Sequence, residues 1–374
     1  MQAYFDNSAT TKPCPEAVQA VSEAMTEVWG NPSSLHRLGI EAERRVGEAR
    51  RAVAEVLGAD PDRIFFTAGG TEADNWAIFS AAKRMQKRGK HIVTTAIEHH
   101  AVLNPMKELE AQGFEVTYLA PDREGRVTVD ALRAALRKDT ILASIMAVNN
   151  EVGSVMPVAA MAKLVHRLAP NAVFHTDAVQ GFLKIPLRVS GLEADLISIS
   201  SHKIHGPKGA GALYIRKGLS LPPHLYGGGQ ERGYRSGTEA VPAILGFGAA
   251  CAAAAKNLRA ELAEEERLKN AVVEGLAAIP GVQIIGAHEA PHIVSFAIPG
   301  VRSQGLINCL QDREVYVSAG SACAKGHRSH VLEAMGIEPA LIDGSVRASL
   351  SRFTTEAEVL LLLDAVREAA VRLR

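Results

Sequence analysis

Short apolar runs recur along this chain, separated by longer stretches with helical spacing. Ile64-Phe65-Phe66-Thr67 is one such run; Ala68-Gly69-Gly70-Thr71 follows it, and then a helical pattern to about Lys87. His91–Thr95 reads as a second strand. Phe114–Leu119, Ile141–Val148 and Val173–Thr176 each follow a helical stretch, and Leu196–Ser200 and Gly211–Ile215 continue the series. Strands alternating with helices predict a mostly parallel sheet flanked by helices on both faces. Ligands of such sheets sit beyond the carboxyl ends of the strands. The residues that close each run are therefore the first candidates for chemistry.

After Ile215 the pattern changes. Leu221-Pro222-Pro223 and Tyr226-Gly227-Gly228-Gly229 begin a loop that continues to Thr238. Its glycines lack the strand–helix context of a dinucleotide site and predict a flexible loop. A long Ala-rich helix is predicted from Ala240 to about Leu276, with a break near Lys256. Ile293–Ile298 and Val315-Tyr316-Val317 read as shorter strands, and a last helix is predicted from about Thr355. These elements predict a large domain over residues 14–250. A smaller α+β domain is expected over 251–374, joined by residues 1–13. No Ser/Gly linker separates the two, which predicts a broad shared interface.

Composition narrows the classes. The 374 residues carry 41 Lys plus Arg and 41 Asp plus Glu, a formal net charge of zero. That gives no support for direct nucleic-acid binding or for an anionic membrane surface. The apolar stretch 243–255 is shorter than a bilayer span. Met1–Asp6 shows no basic region followed by an apolar core, so no signal peptide is expected. Cys14, Cys251, Cys309 and Cys323 are widely spaced without a CxxC pair. A zinc site or disulfide framework is not expected, and a reducing cytoplasm is the expected home. Cys14, between prolines, reads as a turn; Cys251 and Cys309 read as core.

Candidate chemistry gathers at the strand ends. Leu196–Ser200 leads into Ser201-His202-Lys203-Ile204-His205-Gly206-Pro207, which presents Lys203 at the sheet edge. A poorly solvated lysine there suits a Schiff base with an aldehyde cofactor. Asp177 ends the preceding strand, 26 residues earlier, leaving room for one crossover. It either caps the next element or meets a ligand. With Lys203 it fits the ring-nitrogen partner of a pyridoxal phosphate enzyme. Gly69-Gly70-Thr71-Glu72 opens a helix and either caps it or faces an anion. His99, after the strand ending at Thr95, is either a surface histidine or a ring lying over a flat cofactor.

These residues occur in an order that resembles a known family. Val148-Asn149-Asn150-Glu151-Val152-Gly153, His175-Thr176-Asp177-Ala178-Val179-Gln180, the Lys203 segment and Arg235-Ser236-Gly237-Thr238 follow one another. Asp6–Thr11, Asn31–His36 and the segment around Arg347 match as well. Over essentially its whole length the chain resembles the cysteine desulfurases, the NifS/IscS-like group of fold-type I pyridoxal phosphate enzymes in the class V aminotransferase superfamily. The resemblance implies Lys203 as the Schiff-base lysine and Asp177 as the partner of the pyridine nitrogen. It implies Gln180 on the cofactor's ring oxygen with Asn150 nearby, and His99 stacked on the ring as an acid/base. Gly70, Thr71, Ser200 and His202 would hold the phosphate. Thr238 would reach the partner subunit's cofactor phosphate in a homodimer, and Arg347 would clamp the substrate carboxylate.

The same resemblance makes Cys323 decisive between reactions. It stands in Ser318-Ala319-Gly320-Ser321-Ala322-Cys323-Ala324-Lys325-Gly326, a small-residue loop, with Lys325, His327 and Arg328 favouring a thiolate. The implied reaction turns L-cysteine into L-alanine and leaves a persulfide on Cys323 for an acceptor protein, an iron–sulfur scaffold or a tRNA-thiolating enzyme. The alternative is another class V enzyme, an aminotransferase or a selenocysteine lyase. Two departures stand out. The commoner bacterial pattern has six residues between the cysteine and a Pro-Ser-x-Val-Leu segment, whereas four precede Arg328 here. The loop is shorter by up to ~7 Å of extended reach. Gly70 also stands where alanine is usual.

Overall fold

The computed structural model describes residues 2–319 and 328–373. It opens on a two-residue strand, β1 (Ala3–Tyr4). Seven strands then build the main sheet: β2 (Ile64–Thr67), β3 (His91–Thr95), β4 (Glu115–Leu119), β5 (Thr140–Ser144), β6 (Val173–Asp177), β7 (Leu196–Ser200) and β8 (Gly211–Ile215). Their order is β2-β8-β7-β6-β5-β3-β4. β3 to β7 pair in parallel, while β8 runs antiparallel to both of its neighbours. The sheet is mostly parallel, as the apolar pattern predicts, with one reversed strand that the pattern does not reveal.

Adjacent residues of each strand serve opposite faces. Phe65, Ile92, Leu142, Val173 and Leu196 join a cluster with Trp76, Ala77 and Met106 from the helices Gly70–Met85 and His100–Ala111. Phe66, Val93, Ala143, Phe174 and Ile197 join the other cluster, with Met161, Val165 and Phe247. A strand covered on both sides must be apolar at every position, which is why these runs do not alternate. Because the strands are parallel, Thr67, Thr95, Ser144, Asp177 and Ser200 all end at one edge.

A second sheet, in the order β12-β13-β10-β9, is antiparallel. Its strands are β9 (Gln283–Ile285), β10 (Ile293–Ala297), β12 (Ser318–Ala319) and β13 (Ser345–Ser349); β11 (Val315–Tyr316) instead pairs in parallel with β1. Ala3 and Phe5 share an apolar cluster with Val294, Phe296, Val346 and the helix Glu356–Arg372. Thr355 and Glu358 cap that helix reciprocally. Val331, Leu332 and Met335 pack instead with the main sheet's cluster, so the two parts share apolar surface.

The Ala-rich stretch is two helices, Val241–Ala255 and Leu258–Ala277, bent by 80°. The first is largely buried, and Gly248 allows its approach to the helix Arg37–Leu57: a Cβ there would lie 2.5 Å from Ala49 Cα. The second carries the charged face. Among the described residues no single helix is long and apolar enough to cross a membrane. The glycine loop read as flexible is pinned at two points. Buried Glu231 takes Arg50 at 2.7 and 2.8 Å and the Phe66 N–H at 3.0 Å, while Arg235 holds Glu72 at 2.7 Å. Cys14 is also buried rather than set in an exposed turn, and Cys309 is half-buried rather than core.

Candidate active site

A cavity of 710 Å³ opens at the carboxyl edge of the main sheet. It is lined by Gly70, Thr71, His99, Asn150, Asp177, Gln180, Ser200, His202, Lys203 and Arg347, so ten positions scattered over the sequence share one space. Thr238 lies elsewhere, in a groove with Met25, Trp29 and Pro32. Cys323 lies outside the described residues. Arg328, the first described residue after it, lines the cavity, but its guanidinium is engaged by Asp343 at 2.7 and 2.9 Å.

Lys203 sits on the single turn Ser201–Lys203 that closes β7. Its ammonium donates to the carbonyls of Ser8 and Ala9, the latter at 2.9 Å. Asp177, the last residue of β6, accepts the Val179 N–H at 2.8 Å. Burial lifts its carboxyl to about 6, and the Lys203 charge pulls the other way. A cation facing Asp177 would relieve this cost, which is the chemistry a protonated pyridine offers. Behind it lies a second carboxyl, Asp74, pushed well up by burial and by the charge of Asp177; Asp74 Oδ1 has no hydrogen-bond partner. Fully buried His175 is held between Ser144 Oγ (2.8 Å) and Ser198 Oγ (2.9 Å), and burial drives it down to about 3. The cavity floor therefore favours one anion, on Asp177, above neutral groups.

His99 caps the helix His100–Ala111. Its Nδ1 accepts the Ala101 N–H at 3.1 Å, so the hydrogen of the neutral ring is on Nε2. Burial, then Lys203, His100 and His330, lower its pKa to about 4. On the other side of the cavity, the helix Gly70–Met85 points its N-terminus inward. Ser200 Oγ is buried without a partner, and His202 Nδ1 is 3.2 Å from Thr10 Oγ1. Free N–H groups and an orphan hydroxyl suit a phosphate. A Cβ on Gly70 would lie 2.6 Å from Val179 Cγ2, so the backbone is close-packed there.

Arg347, on β13, is 2% exposed. It donates to the Asn150 carbonyl (2.7 Å), Ser318 Oγ (3.1 Å) and Asp6 Oδ1 (3.1 Å), while its Nε has no partner. Gln180 is held by Ser8 and His292 and keeps one edge to the cavity. Sequence reasoning missed Ser8, Ala9 and Asp74. The first two act through carbonyls, and the only signal was the small polar stretch Asp6–Thr11 itself.

The donor set fits pyridoxal phosphate: an amine at a strand end, a carboxylate costly to bury alone, and an anion cradle with an unpaired hydroxyl. Comparison with known proteins agrees. A family model described as aminotransferase class-V matches residues 3–362. A protein of Methanosarcina thermophila named cysteine desulfurase IscS is 43% identical over 375 residues, spanning 99% of this chain and 92% of its own length. A solved structure titled NifS-like protein superposes with a TM-score of 0.94 at 41% identity, covering 100% of both chains. Another, titled SspA in complex with cysteine, gives a TM-score of 0.80 at 31% identity over 94% of this chain and 100% of its own.

Proposed function

The chain belongs to the class V aminotransferases and is a cysteine desulfurase, and from that premise we propose how its own residues take sulfur from L-cysteine by way of Cys323. The observation that carries this reading is the single cavity joining Lys203, Asp177, His99 and Arg347 with the Gly70–Thr71 helix terminus. Pyridoxal phosphate, when bound, supplies an electron sink for the substrate's α-carbon. Lys203 would hold its aldehyde carbon and, once displaced, move the α-proton. Asp177 would hold the ring nitrogen protonated, and Gln180 would donate to the ring oxygen with Asn150 beside it. Gly70, Thr71, Ser200 and His202 would bind the phosphate.

Arg347 would take the substrate carboxylate through the edge that Nε leaves open. His99 would stack on the cofactor and offer its Nε2–H to the reacting sulfur; taking up a second proton as a base costs it the Ala101 cap. The Cys323 thiolate then forms a sulfur–sulfur bond as the substrate's carbon–sulfur bond breaks. A persulfide stays on Cys323, and reprotonation at carbon releases alanine. An acceptor protein, an iron–sulfur scaffold or a tRNA-thiolating enzyme, would collect the sulfur. A reducing cytoplasm suits this thiol chemistry.

The same reading makes residues 14–250 the cofactor unit and residues 1–13 with 251–374 the unit that brings Arg347 and Cys323. The shared cluster of Ala3 and Phe5 with β10 and β13 supports that division. It also makes the enzyme a homodimer. Met25 and Trp29, 67% and 66% exposed, border the groove that contains Thr238. A second copy would cover them and receive Thr238 at its phosphate. Cys323→Ser tests the central assignment: alanine and persulfide formation should stop while the visible cofactor band remains. Continued turnover in that variant refutes it. Lys203→Ala should lose the band.

A further inference from the structure

His292 is buried, 1% exposed, immediately before β10. Its Nε2 lies 3.3 Å from Gln180 Oε1, and Gln180 Nε2 donates to the Ser8 carbonyl at 2.9 Å. The chemistry of these atoms fixes every orientation. A carbonyl only accepts, so the Gln180 atom facing Ser8 is its NH2 group. Its oxygen must then face His292, whose Nε2 must carry a hydrogen. Nδ1 is left bare, and it has no partner. The second N–H of Gln180 remains for the cavity that Gln180 lines.

We propose that His292 is a positioning residue for the cofactor site: it holds the Gln180 amide so that N–H, not C=O, faces the cofactor's ring oxygen. The proposal rests on the role given to Gln180 above. The backbone supports it independently. Leu350 N–H donates to the His292 carbonyl at 2.9 Å, and Ser349 Oγ accepts the Ser8 N–H at 2.8 Å. The end of β13 thus sets both anchors of the amide, the histidine and the carbonyl. Burial, with Lys184, Arg347 and Lys203 around the ring, holds His292 well below its usual pKa, so it remains a neutral single donor across the working range. Without it, Gln180 Oε1 is a buried acceptor with no partner, which swinging the amide out of the Ser8 contact relieves, and that movement takes the N–H away from the ring oxygen.

The readout is the pH midpoint of the holoenzyme's visible cofactor band, measured without substrate. An N–H donor stabilises negative charge on the ring oxygen. Losing it makes that oxygen hold the proton shared with the Lys203 nitrogen more tightly. His292→Leu and His292→Asn should therefore raise the midpoint by roughly one pH unit, a tenfold change in the equilibrium. Asparagine is polar but too short to reach. His292→Gln, whose amide reaches the Nε2 position, should restore the wild-type value. Gln180→Ala should show the same rise, and the Gln180→Ala/His292→Leu double variant no more than either. A wild-type midpoint in His292→Leu or His292→Asn, beside a raised one in Gln180→Ala, overturns the role of His292 alone. An unshifted Gln180→Ala overturns the reading of Gln180 and this proposal with it.

Discussion

Gly70→Ala is a one-methyl change with a large expected effect. The added carbon would lie 2.6 Å from Val179 Cγ2 and 3.6 Å from Ser200 Cβ. Carbon atoms in good contact are about 3.5–4.0 Å apart, so the overlap with Val179 is about 1 Å. Val179 is β-branched and cannot swing a methyl aside without turning its whole side chain. Its backbone N–H is also the 2.8 Å donor to Asp177 Oδ1, so displacing Val179 disturbs the carboxylate assigned to the ring nitrogen. Overpacking of this kind costs about 1–3 kcal/mol, against which the gain of replacing glycine at the edge of a helix is below about 1 kcal/mol. Apoenzyme titrated with pyridoxal phosphate, followed by its visible band, should show Kd raised about 5- to 50-fold in Gly70→Ala. Val179→Ala alone should bind nearly as the wild type. Val179→Ala combined with Gly70→Ala should recover most of the affinity, a coupling of about 1–2 kcal/mol. Equal Kd values for Gly70→Ala with and without Val179→Ala would refute the argument, because the loss would not then come from this contact. Alanine at this position is thus incompatible with Val179 as it stands.

Arg347→Lys keeps the charge but loses the planar fork; kcat/KM for L-cysteine should fall about 10- to 100-fold, mostly through KM, in steady-state alanine assays. Unchanged KM would remove Arg347 from the substrate carboxylate. Glu98 is fully buried, accepts from Thr95 Oγ1 and the Met146 N–H through one oxygen, and is raised by burial to about 8. Its folded pKa lies above the ordinary carboxyl value, so the stability it contributes is complete below about pH 4.5 and is lost as pH rises through about 8. Glu98→Gln does not ionise, so its Tm relative to wild type should climb between about pH 5 and 8. A constant difference would refute the shift.

The apolar runs located the strands of the main sheet because both faces are covered, and Asp177, which closes β6, and Lys203, on the turn after β7, both line the cavity. Strand direction is not written in such runs, so the reversal of β8 could not be read. A lone lysine in a turn after a strand can be read as standing at the sheet edge, but what holds it cannot. Ser8 and Ala9 hold Lys203 through carbonyls, which every residue type possesses. Asp74 looked like any polar residue in a helix; only the fold puts it behind Asp177. Cys14 reads as a turn from its prolines, yet burial comes from the helix Val241–Ala255 and its neighbours packing over it. The Gly227–Gly229 segment lost its expected freedom to Glu231 and Arg235, whose partners lie more than 160 residues away.

The pairing of β1 with β11 has a consequence for how the enzyme is made. Ala3 and Tyr4 join Val315 and Tyr316, and Ser8 is tied to Ser349. Synthesis runs toward the C-terminus, so Ala3 and Tyr4 are made more than 300 residues before their β11 partners, and Ser8 is made 341 residues before Ser349. The carbonyls that hold Lys203 are among these waiting residues. The main sheet can assemble while the chain is still growing, yet the segment that offers the Ser8 and Ala9 carbonyls to Lys203 lacks its β11 and β13 partners until those strands are made. A chain truncated before β13 therefore lacks Arg347 and the Ser349 tie to Ser8, and with them the finished cavity.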